Sequence, residues 1–163
     1  MKLVDFYREE IGNTNGHKWS EIMSWSDGAW EMDHDYIQFM FPSNEPSQLN
    51  GDAPTMTKEE SDIFIADSTL TSKVGESFNR FLSFLGMRLE GDEVVSTTGE
   101  LPEVLRHFNH NFLRITRCLK ALRLTGNEVL ANAFYKGLEK YKENVSANTW
   151  SHWSNAVSQP LWN

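Results

Sequence analysis

The chain has 163 residues, 39% of them apolar, with ten Phe, six Trp and four Tyr and a formal net charge of −8. That length fits one domain over residues 1–163 with a real core, and so much aromatic area excludes a disordered chain. The negative charge excludes general binding to nucleic acid or to an anionic membrane, both of which need a basic surface.

In chain order, Leu3, Val4, Tyr7 and Ile11 have helical spacing and predict a short amphipathic helix, broken by the run from Gly12 to Gly16. Trp19, Ile22 and Met23 predict a second, closed by Ser26-Asp27-Gly28. A third is expected over about Ala29 to Phe41, with Trp30, His34, Ile37 and Phe41 on one broad stripe and Gln38 beside it. It is apolar almost all round, so it should be buried, and Pro42 should end it. Residues 43–56 have no periodicity and read as a long irregular surface loop. Thr57 followed three residues later by Glu60 has capping-box form and predicts a helix start. The strongest periodicity follows. Leu70, Val74, Phe78, Phe81, Leu82 and Leu85 form one stripe, and Gly86 stands where a C-terminal glycine cap belongs.

Met87 to Gly99 reads as a loop or a short hairpin. Pro102 suits the first position of a short helix to about Phe108, and a longer helix should run from Asn109 to Thr125, with Phe112, Ile115, Leu119 and Leu122 facing the core. Asn127 can cap a further helix carrying Leu130, Phe134, Leu138 and Tyr141, and Trp150, Trp153 and Val157 suit a last one. The expected fold class is all-α: a compact single-domain bundle of roughly seven to nine short and medium helices held by helix-helix packing.

Charge is distributed unevenly along these elements. Eight acids fall between Met1 and Asp35, whereas the stretch between Glu103 and Glu128 holds Arg106, Arg114, Arg117, Lys120 and Arg123 and no acid. The single cysteine, Cys118, excludes an internal disulfide and an all-cysteine metal site, and beside the core stripe it reads as a buried, inert thiol. There is no N-terminal apolar segment of signal-peptide form and no run of 18 apolar residues, so neither a signal peptide nor a membrane span is expected. The expected setting is intracellular and cytoplasmic, or nuclear in a eukaryote.

A family likeness emerges from three ordered motifs. Glu31, His34, Tyr36, Ile37, Gln38, Phe41 and Pro42 are followed by the Pro/Asn loop, by Ala53-Pro54 and by an apolar helix. Phe81 to Glu90 (F-L-S-F-L-G-M-R-L-E) and His110-Asn111 through Leu122 complete the set. Over about Trp30 to Gly126 the chain resembles the conserved region of the opioid growth factor receptor family. The usual Trp after the Gln is Phe39 here, which keeps an aromatic. The resemblance implies a helical domain and a binding role: the vertebrate member is described as taking the pentapeptide Met-enkephalin and restraining growth at the nucleus, and it carries long polar repeats that this chain does not show. It supplies no catalytic residues.

For the chemistry, His34 and Gln38 in an apolar helix must find partners, since an unpaired polar group out of water costs roughly 1–3 kcal/mol. On the helix from Asn109, residues His110, Arg114 and Arg117 share a stripe opposite the core face, forming a clamp suited to carboxylate or phosphate. Tyr36, Asn44 and Asn111 complete the candidate ligand-binding set, with residues 43–56 as a cover. The competing expectation is internal pairing with Glu31, Asp33 or Asp35. Glu31-x-x-His34 lacks the further Glu and His of a carboxylate-bridged metal site, and His17 with His34-Asp35 is a poor match to a phosphohydrolase arrangement, so no metal and no cofactor is expected. The expected function is a small binding or regulatory module for a peptide or small anionic ligand, or for a protein partner. One alternative is a hydrolase using His34 or His110 as general base, aided by the arginines. The other is an interaction protein whose acids (Asp5, Glu9, Glu10, Asp33 and Asp35) engage a basic partner.

Overall fold

A computed structural model describes residues 1–47 and 50–163. Gln48 and Leu49, within the predicted 43–56 loop, lie outside the described residues. Among the described residues the chain forms nine α-helices and one hairpin: α1 (Lys2–Tyr7), α2 (Trp19–Ser24), α3 (Asp27–Met32), α4 (Ile37–Met40), α5 (Lys58–Ala66), α6 (Ser68–Leu85), β1 (Met87–Glu90), β2 (Glu93–Ser96), α7 (Asn111–Leu124), α8 (Glu128–Glu139) and α9 (Ala147–Ser158). The protein is therefore mostly α-helical, as the periodicity predicts.

Local chemistry sets most boundaries. The Thr57 side chain accepts from the Glu60 amide at 3.2 Å and starts α5. Asp67 caps α6 by accepting from Thr69 and Leu70. The six predicted apolar positions of α6 are all buried, and Gly86 closes the helix at φ 79°, a conformation that costs a side-chain-bearing residue energy. Ser146 caps α9 through the Thr149 amide. Helix α7 lies at the centre of a continuous apolar core: Ile115, Cys118, Leu119 and Leu122 are fully buried, and α8 and α9 pack against it. The aromatic residues supply much of that core, among them Trp30, Trp153, Tyr7 and Tyr36.

Three local expectations need correction. The element over Ala29–Phe41 is not one helix: it breaks into α3 and α4, with Asp33 in an extended conformation. The Asp33 carboxylate accepts from the Asp35 amide at 2.8 Å, a local turn that competes with helix. The helix from Pro102 shrinks to a single 3-10 turn over Glu103–Leu105. Asn127 precedes α8 without capping it, because its side-chain amide donates instead to the Thr71 carbonyl on α6.

Residues Met87 to Ser96 resolve as the hairpin, antiparallel with Met87 opposite Ser96 and Glu90 opposite Glu93. It lies close against α8 because Gly137 has no side chain: a Cβ there would stand 2.8 Å from both the Cβ and the carbonyl oxygen of Val94. Gly137→Ala should therefore destabilise the fold by about 1–3 kcal/mol, in spite of alanine's better helix propensity. The denaturation midpoint reports it, and an unchanged midpoint would show that the contact yields easily.

Candidate functional site

The break between α3 and α4 is built around one side chain. Arg114, on α7, is buried, and its Nη1 donates to the Trp30 carbonyl at 2.6 Å, to the Tyr36 hydroxyl at 3.1 Å and to Asn111 Oδ1 at 3.3 Å. Its Nη2 donates to the Asp33 carbonyl at 2.8 Å and lies 3.4 Å from His34 Nδ1. In an unbroken helix Trp30 and Asp33 would accept from the amides of residues 34 and 37. The guanidinium takes the place of those two bonds, so the chain can leave the helix without orphaning its carbonyls. Tyr36 belongs to the same knot: its hydroxyl donates to the Trp30 carbonyl, and Arg114 sits 5.3 Å from its ring centre. Burial drives the Tyr36 hydroxyl above the ordinary phenol range, against the nearby Arg114 charge, and so keeps it a neutral donor.

Next to the knot, between α7 and residues 34–47, lies a half-open cavity of about 380 Å³. Its lining includes His34, Ile37, Gln38, His110, Leu113, Arg114, Arg117 and Lys120, with Ser43, Glu45 and Pro46 on the loop side. His34 and His110 stand at its edge with ring centres 5.3 Å apart, and His110 Nε2 pairs with Glu31 Oε1 at 2.9 Å. Thr116 also contributes, its hydroxyl donating to the Phe112 carbonyl. Gln38 is 3% exposed, and its Oε1 is buried with no hydrogen-bond partner among the described residues.

Arg117 differs from Arg114. Its Nε donates to the Phe41 carbonyl at 2.7 Å, at the end of α4, but its two terminal nitrogens have no partner among the described residues. No carboxylate lies within ion-pair distance of it there. Desolvation brings its pKa down to about 10, which leaves it a cation at neutral pH. Three residues further along the helix, Lys120 Nζ is 3.1 Å from the Glu45 carboxylate.

Of the sequence-derived set, His34, Gln38, His110, Arg114 and Arg117 meet at this cavity. Tyr36 and Asn111 lie behind it. Asn111 accepts from Arg114 and donates to Glu31 Oε2 at 3.1 Å. Asn44 turns the other way, its amide donating to the Leu161 carbonyl in the C-terminal tail. Internal pairing takes an unexpected form: Arg114 and Arg117 bond to backbone carbonyls, and the pairing with Glu31 falls to His110 and Asn111. Sequence reasoning missed Leu113, Thr116, Lys120 and Glu45. Lys120 was within reach, since it continues the stripe three residues after Arg117. Nothing in the sequence announces that Glu45 meets Lys120.

Among the described residues, no group of three or more His, Cys, Asp or Glu is placed to hold a metal ion, and no helix is long and apolar enough to cross a membrane. Cys118 is fully buried in the core, which raises its thiol well above the usual range and leaves no ready thiolate. Fold and site thus define a mostly α-helical protein with a cation-lined cavity beside a buried arginine knot. Comparison with known sequences places it more narrowly. The opioid growth factor receptor (OGFr) conserved region matches residues 1–149, and the chain belongs to that family. It is 34% identical to the human opioid growth factor receptor over 135 residues, covering 77% of this chain and 20% of that protein. It is 32% identical to mouse opioid growth factor receptor-like protein 1 over 165 residues, covering 91% of this chain and 34% of that protein. The chain thus spans between a fifth and about a third of the length of these relatives. No solved structure matches.

Proposed function

We propose that this chain is a binding module, folded as one unit around its continuous core, that holds an anionic group of a peptide or small molecule in the cavity between α7 and residues 34–47. The observation that carries the reading is Arg117. Its side chain is half-buried, is tied at one nitrogen to the Phe41 carbonyl, and has its remaining donors free of any partner among the described residues. A half-buried cation with unpartnered donors and no carboxylate at hand is favourably met by an incoming anion. Apolar Ile37 and Leu113 on the same walls give a ligand something to bury besides its charge. The human relative's name, a receptor for an opioid growth factor, accords with a ligand-holding role.

The experiment is a thermal-shift and calorimetric screen of short peptides with free carboxyl termini, nucleotides and inorganic phosphate against the wild-type chain and Arg117→Met. Wild type should gain stability with at least one of these. Arg117→Met should still fold, about 1–3 kcal/mol less stable for the Phe41 carbonyl it leaves without a donor, and should weaken that binding by roughly ten- to a hundredfold, the worth of one charge-assisted contact. Equal binding by the variant would remove the cavity from consideration.

A further inference from the structure

The walls of this cavity discriminate between kinds of anion, and the discrimination rests on the reading of it as an anion site. The cations left to it are few. Arg114 is bonded to the Trp30 and Asp33 carbonyls, to Tyr36 and to Asn111, and Glu31 beside it pairs with His110. That leaves Arg117, whose terminal nitrogens lack partners among the described residues, and Lys120, which faces one carboxylate, Glu45. Arg114 keeps its charge at the cavity but has spent its donors on neutral groups, so the cationic donors open to a ligand are those of Arg117 and Lys120, in a protein of net charge −8. A phosphate dianion is poorly served by so few donors, since phosphate sites gather several guanidinium or backbone N–H donors around three oxygens. A carboxylate, with two oxygens, matches them.

Two further features narrow the class. Ile37 and Leu113 put hydrocarbon on the cavity walls, and Leu113 is 58% exposed, which leaves apolar surface uncovered. The position beside Lys120 already holds a carboxylate, that of Glu45, at 3.1 Å. Glu45 is exposed on the loop and Lys120 mostly covered, so the pair is held at the cavity rim by a side chain that water can readily replace. Glu45 therefore stands where a ligand's own carboxylate would sit.

We propose that the cavity takes a monocarboxylate carrying a short apolar chain, and that the Glu45 carboxylate competes with it for Lys120 from within the same molecule. The apolar chain lies along Ile37 and Leu113 while the carboxylate bridges Arg117 and Lys120, and Glu45 swings out to solvent. Binding is then a carboxylate-for-carboxylate exchange at Lys120, so that removing the internal carboxylate strengthens binding while Arg117, Lys120, Ile37 and Leu113 stay as they are.

Hexanoate, hexanamide and inorganic phosphate serve as probes, titrated into the chain while amide and arginine Nε–H resonances are followed by NMR. Hexanoate should shift the Arg117 Nε–H signal and the amides around Leu113, and hexanamide and phosphate should not. Glu45→Gln should tighten hexanoate by about three- to tenfold, the reach of one exposed ion pair, with no change in thermal stability beyond the loss of that pair. Adding Lys120→Met to Glu45→Gln should cancel the gain. Hexanoate affinity unchanged by Glu45→Gln overturns the competition, and hexanamide binding as tightly as hexanoate overturns the carboxylate. Phosphate binding where hexanoate does not would overturn the inference while leaving the broader anion site standing. If none of the three probes, and no member of the peptide and nucleotide screen, binds either form, both fall together.

Discussion

Arg114→Ala should cost the fold about 3–5 kcal/mol, a large share of the total stability of a domain this size. The magnitude follows from what the side chain leaves behind rather than from its charge. Removing it leaves the Asp33 carbonyl and the Asn111 amide oxygen with no donor, and takes one of two partners from the Trp30 carbonyl and the Tyr36 hydroxyl, in a region where Trp30 and Tyr36 are fully buried. Each unmet group costs roughly 1–3 kcal/mol, partly offset where water can enter. Arg114→Lys should recover little, because one ammonium cannot span two carbonyls that a planar guanidinium reaches with separate nitrogens. Denaturant unfolding of the two variants checks this. A lysine variant as stable as wild type would mean that charge alone, and not the forked geometry, holds the break. The contrast with Arg117→Met, expected to fold with a smaller loss of stability and to lose ligand, separates the arginine that builds the wall from the one that offers donors to the cavity.

Glu60→Ala should cost about 2–4 kcal/mol and should act mainly on the N-terminal helix. Glu60 is 4% exposed, and its Oε2 accepts from both the Leu3 and Val4 amides at 3.1 Å. These are free N–H groups at the start of α1, where a negative charge is also favoured by the helix dipole. Helix α1 has six residues and would not hold its shape alone in water, so its docking depends on this carboxylate and on burial of Leu3, Val4, Phe6 and Tyr7. Glu60→Gln keeps an acceptor and should recover part of the loss. Hydrogen exchange should show residues 3–8 opening well before α7 and α8 in the alanine variant. Uniform loss of protection across the chain would contradict a local role.

How far the sequence carried depends on the range of the interactions involved. The stripe from Leu70 to Leu85 with Gly86 behind it, the start of α5 at Thr57, and α7 to α9 follow from neighbours within four residues, and there periodicity and capping chemistry agree with the structure. The unbroken helix over Ala29–Phe41 fails because its apolar pattern does not reveal the competing local turn. Asp33 offers a local turn, and the donor that makes the break tolerable, Arg114, is 81 residues away from it. Glu60 misleads in the same way: the capping-box pattern places its side chain on Thr57, yet it turns inward to α1, 56 and 57 residues off. His34 and Gln38 were grouped by a helical spacing they do not have, yet both line the cavity, because α4 brings Gln38 back beside α7 just after the break. Tyr36 and Asn44 show the limit of grouping by proximity in sequence. They neighbour the lining residues in the chain and face other partners in space.

The bond from Asn44 to the Leu161 carbonyl joins residues 117 apart, tying the start of the cavity loop to the last residues of the chain. That gives positions 1 and 163 of this chain unequal standing as attachment points. Met1 is 57% exposed and precedes α1, which is anchored by Glu60 and touches no lining residue of the cavity through a hydrogen bond or ion pair among the described residues. A fluorophore, affinity handle or fused reporter placed there leaves the loop alone. The same group placed after Asn163 should disturb Leu161 and, through its bond to Asn44, the loop carrying Ser43 and Glu45. Position 163 is therefore the place to put a probe meant to sense what happens at the cavity, and the wrong place for one meant to be silent.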